Sequence, residues 1–122
     1  MVHDITPNAQ EYYFSSEKCF ITELSNSEDD KEMSIAKARV RPGITTCWHR
    51  LRGTTERYLI LSGCGFVEVG ESYSRNVTEG GVVVIPPMTR QRITNTGEED
   101  LIFLVICSPR FLPEVYESLE QD

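Results

Sequence analysis

Five residues have the types and spacing that could support chemistry: Cys47, His49, Glu56, Tyr58 and Gln91. Side chains two apart on a strand share a face. Thr45, Cys47, His49 and Leu51 therefore point one way, and Thr46, Trp48 and Arg50 the other. Glu56, Tyr58 and Ile60 share a face of the next strand, and Gln91, Ile93 and Asn95 a face of a third. If Ala38 and Val40 mark the interior, these faces converge inside a barrel, on a pocket to which His49, Glu56 and Gln91 all point. Leu51, Cys47, Ile60, Ile93 and Cys107 are expected to line it. Imidazole and carboxylate side chains are the commonest carriers of protons in sites of this kind. Glu56 and Tyr58 are the candidate catalytic groups. A buried carboxylate is costly unless something partners it, so Glu56 either serves a ligand or pairs with an arginine such as Arg57 or Arg92. Gln91 either meets the ligand or hydrogen-bonds Glu56. Cys47 and Cys107 read as inert buried thiols, since no cation is fixed beside them by the sequence. His3, on the N-terminal arm, reads as solvated.

The elements that must position these residues are short strands. Ser34 to Val40 alternates Ala36, Ala38 and Val40 with Lys37 and Arg39, the period of a half-buried strand. Further strands are expected over Cys19 to Leu24, Thr45 to Leu51, Glu56 to Leu61, Phe66 to Val69, Val82 to Ile85, Gln91 to Asn95 and Leu101 to Cys107. Pro42-Gly43, Ser62-Gly63-Cys64-Gly65 and Pro86-Pro87 separate them, and Gly70 to Gly81 reads as turn. After Pro113, Val115 and Leu119 share one helical face, which predicts a short acidic helix near Glu114 to Glu120. Many short strands with Gly and Pro turns imply an all-β sandwich or barrel.

Composition sets the outer limits. A chain of 122 residues that is 39% hydrophobic has the apolar content for one core. Its longest apolar run, Leu101 to Cys107, is too short to span a bilayer. Asp4, Pro7 and Glu11 interrupt any leader-like start, so the cytoplasm is the expected location. The formal charge of −7 argues against nucleic acid and anionic membranes as partners. Cys19, Cys47, Cys64 and Cys107 form no C-x-x-C pair and read as free thiols. Between Glu32 and Glu56 the charged residues are all basic: Lys37, Arg39, Arg41, Arg50 and Arg52. They read as an outward row paired with acids, in preference to an anion-binding face. Tyr12, Tyr13 and Phe14 on a polar arm, with Trp48 and Leu59 facing outward, predict a homodimer.

The spacing itself is distinctive. The chain runs Gly43, five residues, His49, one residue, Leu51, four residues, Glu56, six residues, Gly63. Later it runs Gly80, five residues, Pro86, four residues, Gln91, three residues, Asn95. This resembles the two motifs of the cupin superfamily, over roughly Ser34 to Cys107, and looks like its small type-2, conserved-barrel members. The resemblance implies a cupin-type double-stranded β-helix (jelly-roll) barrel in one domain. Residues 1–33 would form an arm and first strand, 34–108 the barrel, and 109–122 a tail with a short helix. In that family the motifs supply His, His and Glu, then a further His, as metal ligands. Here His49 and Glu56 stand at ligand positions, Leu51 replaces one histidine, Gln91 another, and Met88 a motif glycine. The resemblance thus implies a degenerate site of His49, Glu56 and Gln91 that binds Mn, Fe, Ni or Zn weakly, with Cys47 able to add a thiolate.

Two functions follow. In the first, the protein is a metal-dependent enzyme acting on a small sugar- or acid-like substrate, as the sugar-phosphate isomerase-like proteins, lyases and dioxygenases of the superfamily do. In the second, it is a metal-free, non-catalytic module that binds or senses a small molecule. Loss of two histidines favours the second; retention of Glu56 favours the first.

Overall fold

The period of two that begins at Ser34 builds one of two facing antiparallel sheets in the computed structural model, which describes residue 2 and residues 9–120. His3 lies outside the described residues. The strands are β1 (Tyr12–Phe14), β2 (Cys19–Ser25), β3 (Ser34–Val40), β4 (His49–Leu51), β5 (Thr55–Ser62) and β6 (Cys64–Val69). They continue as β7 (Tyr73–Thr78), β8 (Val82–Ile85), β9 (Gln91–Asn95), β10 (Leu101–Ser108) and β11 (Tyr116–Ser118). One sheet has the order β1-β2-β3-β10-β5-β8 and the other β11-β4-β9-β6-β7. Consecutive strands repeatedly cross from one sheet to the other, the topology of a jelly roll.

Val40, Val67, Ile93 and Leu101 are fully enclosed between the sheets, and Ile60, Ile85 and Phe103 nearly so. The tight turn from β5 to β6 depends on Gly63. Its φ is +93°, and a Cβ there would meet the Asp100 carbonyl oxygen at 2.8 Å. Part of the basic row, Arg39, Arg50 and Arg52, pairs with acids of the same chain, while Arg41 lies over the Phe20 ring. Arg39 binds Glu11 and Asp100, Arg50 binds Glu117, and Arg92 binds Glu68. Among the described residues no helix is long and apolar enough to cross a membrane.

Three elements differ from expectation. The strand expected over Thr45 to Leu51 is regular only from His49. Upstream, the Thr46 amide donates to the Ile93 carbonyl and the Thr46 hydroxyl accepts from the Ile93 amide, each at 2.9 Å. A side chain has taken a ladder position, so Thr46 and Cys47 are both buried and the alternation slips. Gly70 to Gly81 contains a strand, β7, whose side chains are exposed except for Val77; it has no apolar alternation to betray it. The expected C-terminal helix is one 3₁₀ turn, Pro113–Val115, followed by β11. Strand β4 has an open edge, and the tail closes it by pairing Tyr116 with Leu51 and Ser118 with His49. Ladder bonds there outweigh the weak preference of so short a helix.

Candidate functional site

Strand alternation places His49 and Leu51 of β4 on the inner face of one sheet, opposite Glu56 and Tyr58 of β5 on the other. Between them lies a cavity of about 80 Å³, room for several waters or a small organic group. His49, Glu56, Tyr58, Phe103 and Cys107 form its buried floor. Tyr12, Phe14, Glu23, Phe111 and Tyr116, all partly exposed, form its mouth.

The imidazole of His49 lies between two carboxylates. Its Nδ1 donates to the Cys47 carbonyl at 2.9 Å and has Glu17 Oε1 at 2.8 Å. Both oxygens can only accept, so Nδ1 carries a hydrogen. On the other side Nε2 faces Glu56 Oε1 at 3.9 Å, too far for a direct hydrogen bond. Burial disfavours the charged ring, but Glu17 by charge and contact, and Glu56 after it, overcome that and hold the His49 pKa well above its ordinary value. The ring stacks on Tyr116, centroids 5.2 Å apart.

Among the described residues, Glu56 Oε1 is buried and has no hydrogen-bond partner, and the same is true of the Tyr116 hydroxyl. Neither expected arginine reaches Glu56: Arg57 donates to the Ser108 hydroxyl and Arg92 pairs with Glu68. Tyr58 is buried with its hydroxyl donating to Gln91 Oε1. Burial, then Glu56, pushes its pKa well up. Its proton is therefore committed to Gln91, and Tyr58 is a wall of the cavity. Burial likewise pushes the Cys19 and Cys107 thiols up, which keeps both protonated and inert.

His49, Leu51, Glu56, Tyr58 and Cys107 meet at the cavity. Gln91 is buried one layer behind, opposite His49 in the β4–β9 ladder, with its amide oxygen taken by Tyr58. Cys47, Ile60 and Ile93 do not line the cavity. The slip at Thr46 turns the Cys47 side chain aside, so it is the carbonyl of Cys47 that serves His49. Ile60 and Ile93 pack in the closed apolar end of the barrel.

Glu17 is the residue that sequence reasoning missed. It sits in the turn from β1 to β2, where its amide and that of Lys18 donate to the Phe14 carbonyl at 3.0 and 2.9 Å. Lys18 follows in the left-handed region, φ 63°. The turn folds β1 across the cavity and drives Glu17 inward. Thr46 and Tyr116 were also missed as lining residues. The donor set does not fit a metal held by protein groups alone. His49 Nε2 and Glu56 Oε1 are the two ligating atoms that face one point, and the third expected oxygen is engaged by Tyr58. Among the described residues no three His, Cys, Asp or Glu groups converge as a metal site.

Residues 36–107 match Cupin_2, the cupin domain family. The chain belongs to the cupin family. The uncharacterized protein MJ1618 of Methanocaldococcus jannaschii is 31% identical over 110 residues, covering 88% of this chain and 87% of that protein. Among solved structures, a single-substitution variant of Streptomyces PAC13 with uridine superposes with a TM-score of 0.80 at 13% identity, over 98% of this chain and 92% of that one. PAC13 is described as a nucleoside dehydratase. The Lactobacillus farciminis oxalate decarboxylase formate complex gives 0.77 at 24% identity, over 92% of this cupin but 34% of that chain. At such identities the likeness establishes the barrel and leaves the chemistry to the site.

Proposed function

We propose that the cavity binds a small organic molecule through a hydroxyl group, with His49 and Glu56 as an acid–base pair. The observation that carries this is the buried Glu56 Oε1, unpartnered among the described residues and 3.9 Å across the cavity floor from His49 Nε2. A hydroxyl oxygen between them can accept from Nε2–H and donate to Oε1, each at roughly 2.8 Å. The charged His49 is then placed to give a proton to a departing oxygen, and Glu56 to take one from the ligand. Elimination of water and isomerisation are reactions of that class. Glu17 keeps the ring oriented and charged, and Tyr58 with Gln91 shapes the floor. No step needs a metal, and the two remaining donors would give a divalent ion only weak hold.

Isotope-edited NMR of the full chain tests this reading, with uridine and other small hydroxylated compounds as first probes. Saturable shifts at the His49 ring, weakened at least tenfold by Glu56→Gln and unchanged by chelator, are expected. A panel that leaves His49 unmoved would sink it.

We also infer that the outer face of the six-stranded sheet pairs with a second copy of the chain. Val82 and Val84 on β8 are 60% and 58% exposed, and Leu61 on β5 is 39% exposed. Leu59 lies directly between Val82 and Leu104 in the ladder, which makes these side chains one continuous patch.

A further inference from the structure

We propose that the ligand of this cavity is a small organic cation, an ammonium compound. This rests on the reading of the cavity as a binding site and narrows it to a class. Three carboxyl groups, Glu17, Glu23 and Glu56, line the cavity against one basic side chain, His49. Among the described lining residues there is no Lys or Arg. The one base is already engaged, since Glu17 Oε1 stands 2.8 Å from its Nδ1.

Glu56 supplies the independent sign that something is expected there. Its side chain is 8% exposed, and its Oε1 is buried without a partner among the described residues. A buried carboxylate oxygen left unmatched is costly. A ligand hydroxyl relieves that cost by donating to Oε1. Three carboxyl groups against one imidazole leave the cavity with an excess of acid, which repels a ligand anion and draws a ligand cation.

The walls fit the same class. Tyr12, Phe14, Phe111 and Tyr116 ring the mouth, with the Phe14 and Tyr116 rings 5.5 Å apart and tilted by 54°. Aromatic faces attract ammonium groups, most strongly where water is excluded. The mouth therefore offers π faces and Glu23 to an ammonium head, while the floor offers Glu56 and His49 to a hydroxyl.

Calorimetric titration of the full chain with three molecules of one shape tests the assignment. The probes are choline, its uncharged isostere 3,3-dimethylbutan-1-ol, and 3,3-dimethylbutyrate, with ethanolamine as a smaller ammonium. Choline or ethanolamine should bind about tenfold tighter than the neutral alcohol, and the carboxylate should not bind. Glu23→Gln should weaken the ammonium compound about fivefold and leave the alcohol unchanged. Equal affinity for the alcohol, or preference for the carboxylate, overturns the ammonium assignment while a shifted His49 NMR signal keeps the cavity as a binding site. Silence from all four probes, with His49 unmoved, overturns both.

Discussion

His49 carries a charge that its burial alone would remove, and the acid chiefly responsible lies on a turn far from it in sequence. That arrangement makes a pH prediction with a definite sign. A histidine whose folded pKa is raised contributes stability that is fully present below the unfolded value of about 6.5 and is lost as pH rises through the folded value. The folded value is well above the ordinary one, and Glu17 is the main cause. Between pH 6.5 and 7.5, where unfolded thiols are still mostly protonated, the wild-type urea midpoint should fall with pH. In Glu17→Gln the slope should flatten, and the His49 ring should lose its proton at lower pH by NMR. A Glu17→Gln variant with the wild-type slope would show that Glu17 does not hold the charge. A second residue-scale prediction concerns Met88, which occupies the left-handed region at φ 62° where the family motif has glycine. A side chain there costs about 1–2 kcal/mol, partly offset by the greater freedom glycine loses on folding. Met88 is 48% exposed, so little packing is lost on its removal. Met88→Gly should therefore raise stability by up to about 1 kcal/mol in equilibrium unfolding.

At the scale of elements, the readable parts of the sequence were those where apolar alternation and turn residues agree. Strands β3, β8 and β9 fall where the pattern places them, and with them Glu56 and Tyr58 face His49. The motif spacing alone pointed to the cupin barrel. What stayed hidden depended on tertiary partners. Strand β7 is an exposed edge with a polar sequence, Thr46 substitutes a hydroxyl for a ladder bond, and the tail becomes a strand because β4 offers an edge. Glu17 was invisible for the same reason, since nothing in a polar turn shows which acid folds inward. Strand β11 matters because it carries Tyr116 onto the His49 ring. Among the described residues the Tyr116 hydroxyl is buried without a partner, and such a group costs about 1–3 kcal/mol. Tyr116→Phe should thus be neutral or up to about 1 kcal/mol more stable in thermal unfolding, while binding ligand more weakly. Wild-type affinity in this variant would mean the hydroxyl is idle in the complex.

For the whole molecule, the question is which surface a second copy covers. The arm is one candidate, but its rings, half exposed at Tyr12 and Tyr13, also make contacts within the chain. Tyr12 and Phe14 line the cavity, and Tyr13 packs on Phe20 at 4.9 Å. Trp48 and Leu59 cannot share one patch, because they stand on the outer faces of different sheets. Trp48 is moreover covered by the guanidinium groups of Arg90 and Arg92, 4.2 and 4.4 Å from its ring. Leu59 belongs with Val82, Val84, Leu61 and Leu104 on the outer face of the six-stranded sheet. A contiguous apolar face of this kind marks an interaction surface, and a patch that is complementary to itself is covered most simply about a two-fold axis. Two such faces stacked at about 10 Å would bury the valines of both copies. The wild-type chain should then scatter light as a dimer at micromolar concentration. Val82→Lys with Val84→Lys, on side chains that are exposed in one copy and so tolerant of charge, should give a folded monomer with unchanged choline affinity, since the cavity opens between the sheets and away from this face. A wild-type monomer, or a dimer indifferent to the two lysines, would place the self-association surface elsewhere or remove it.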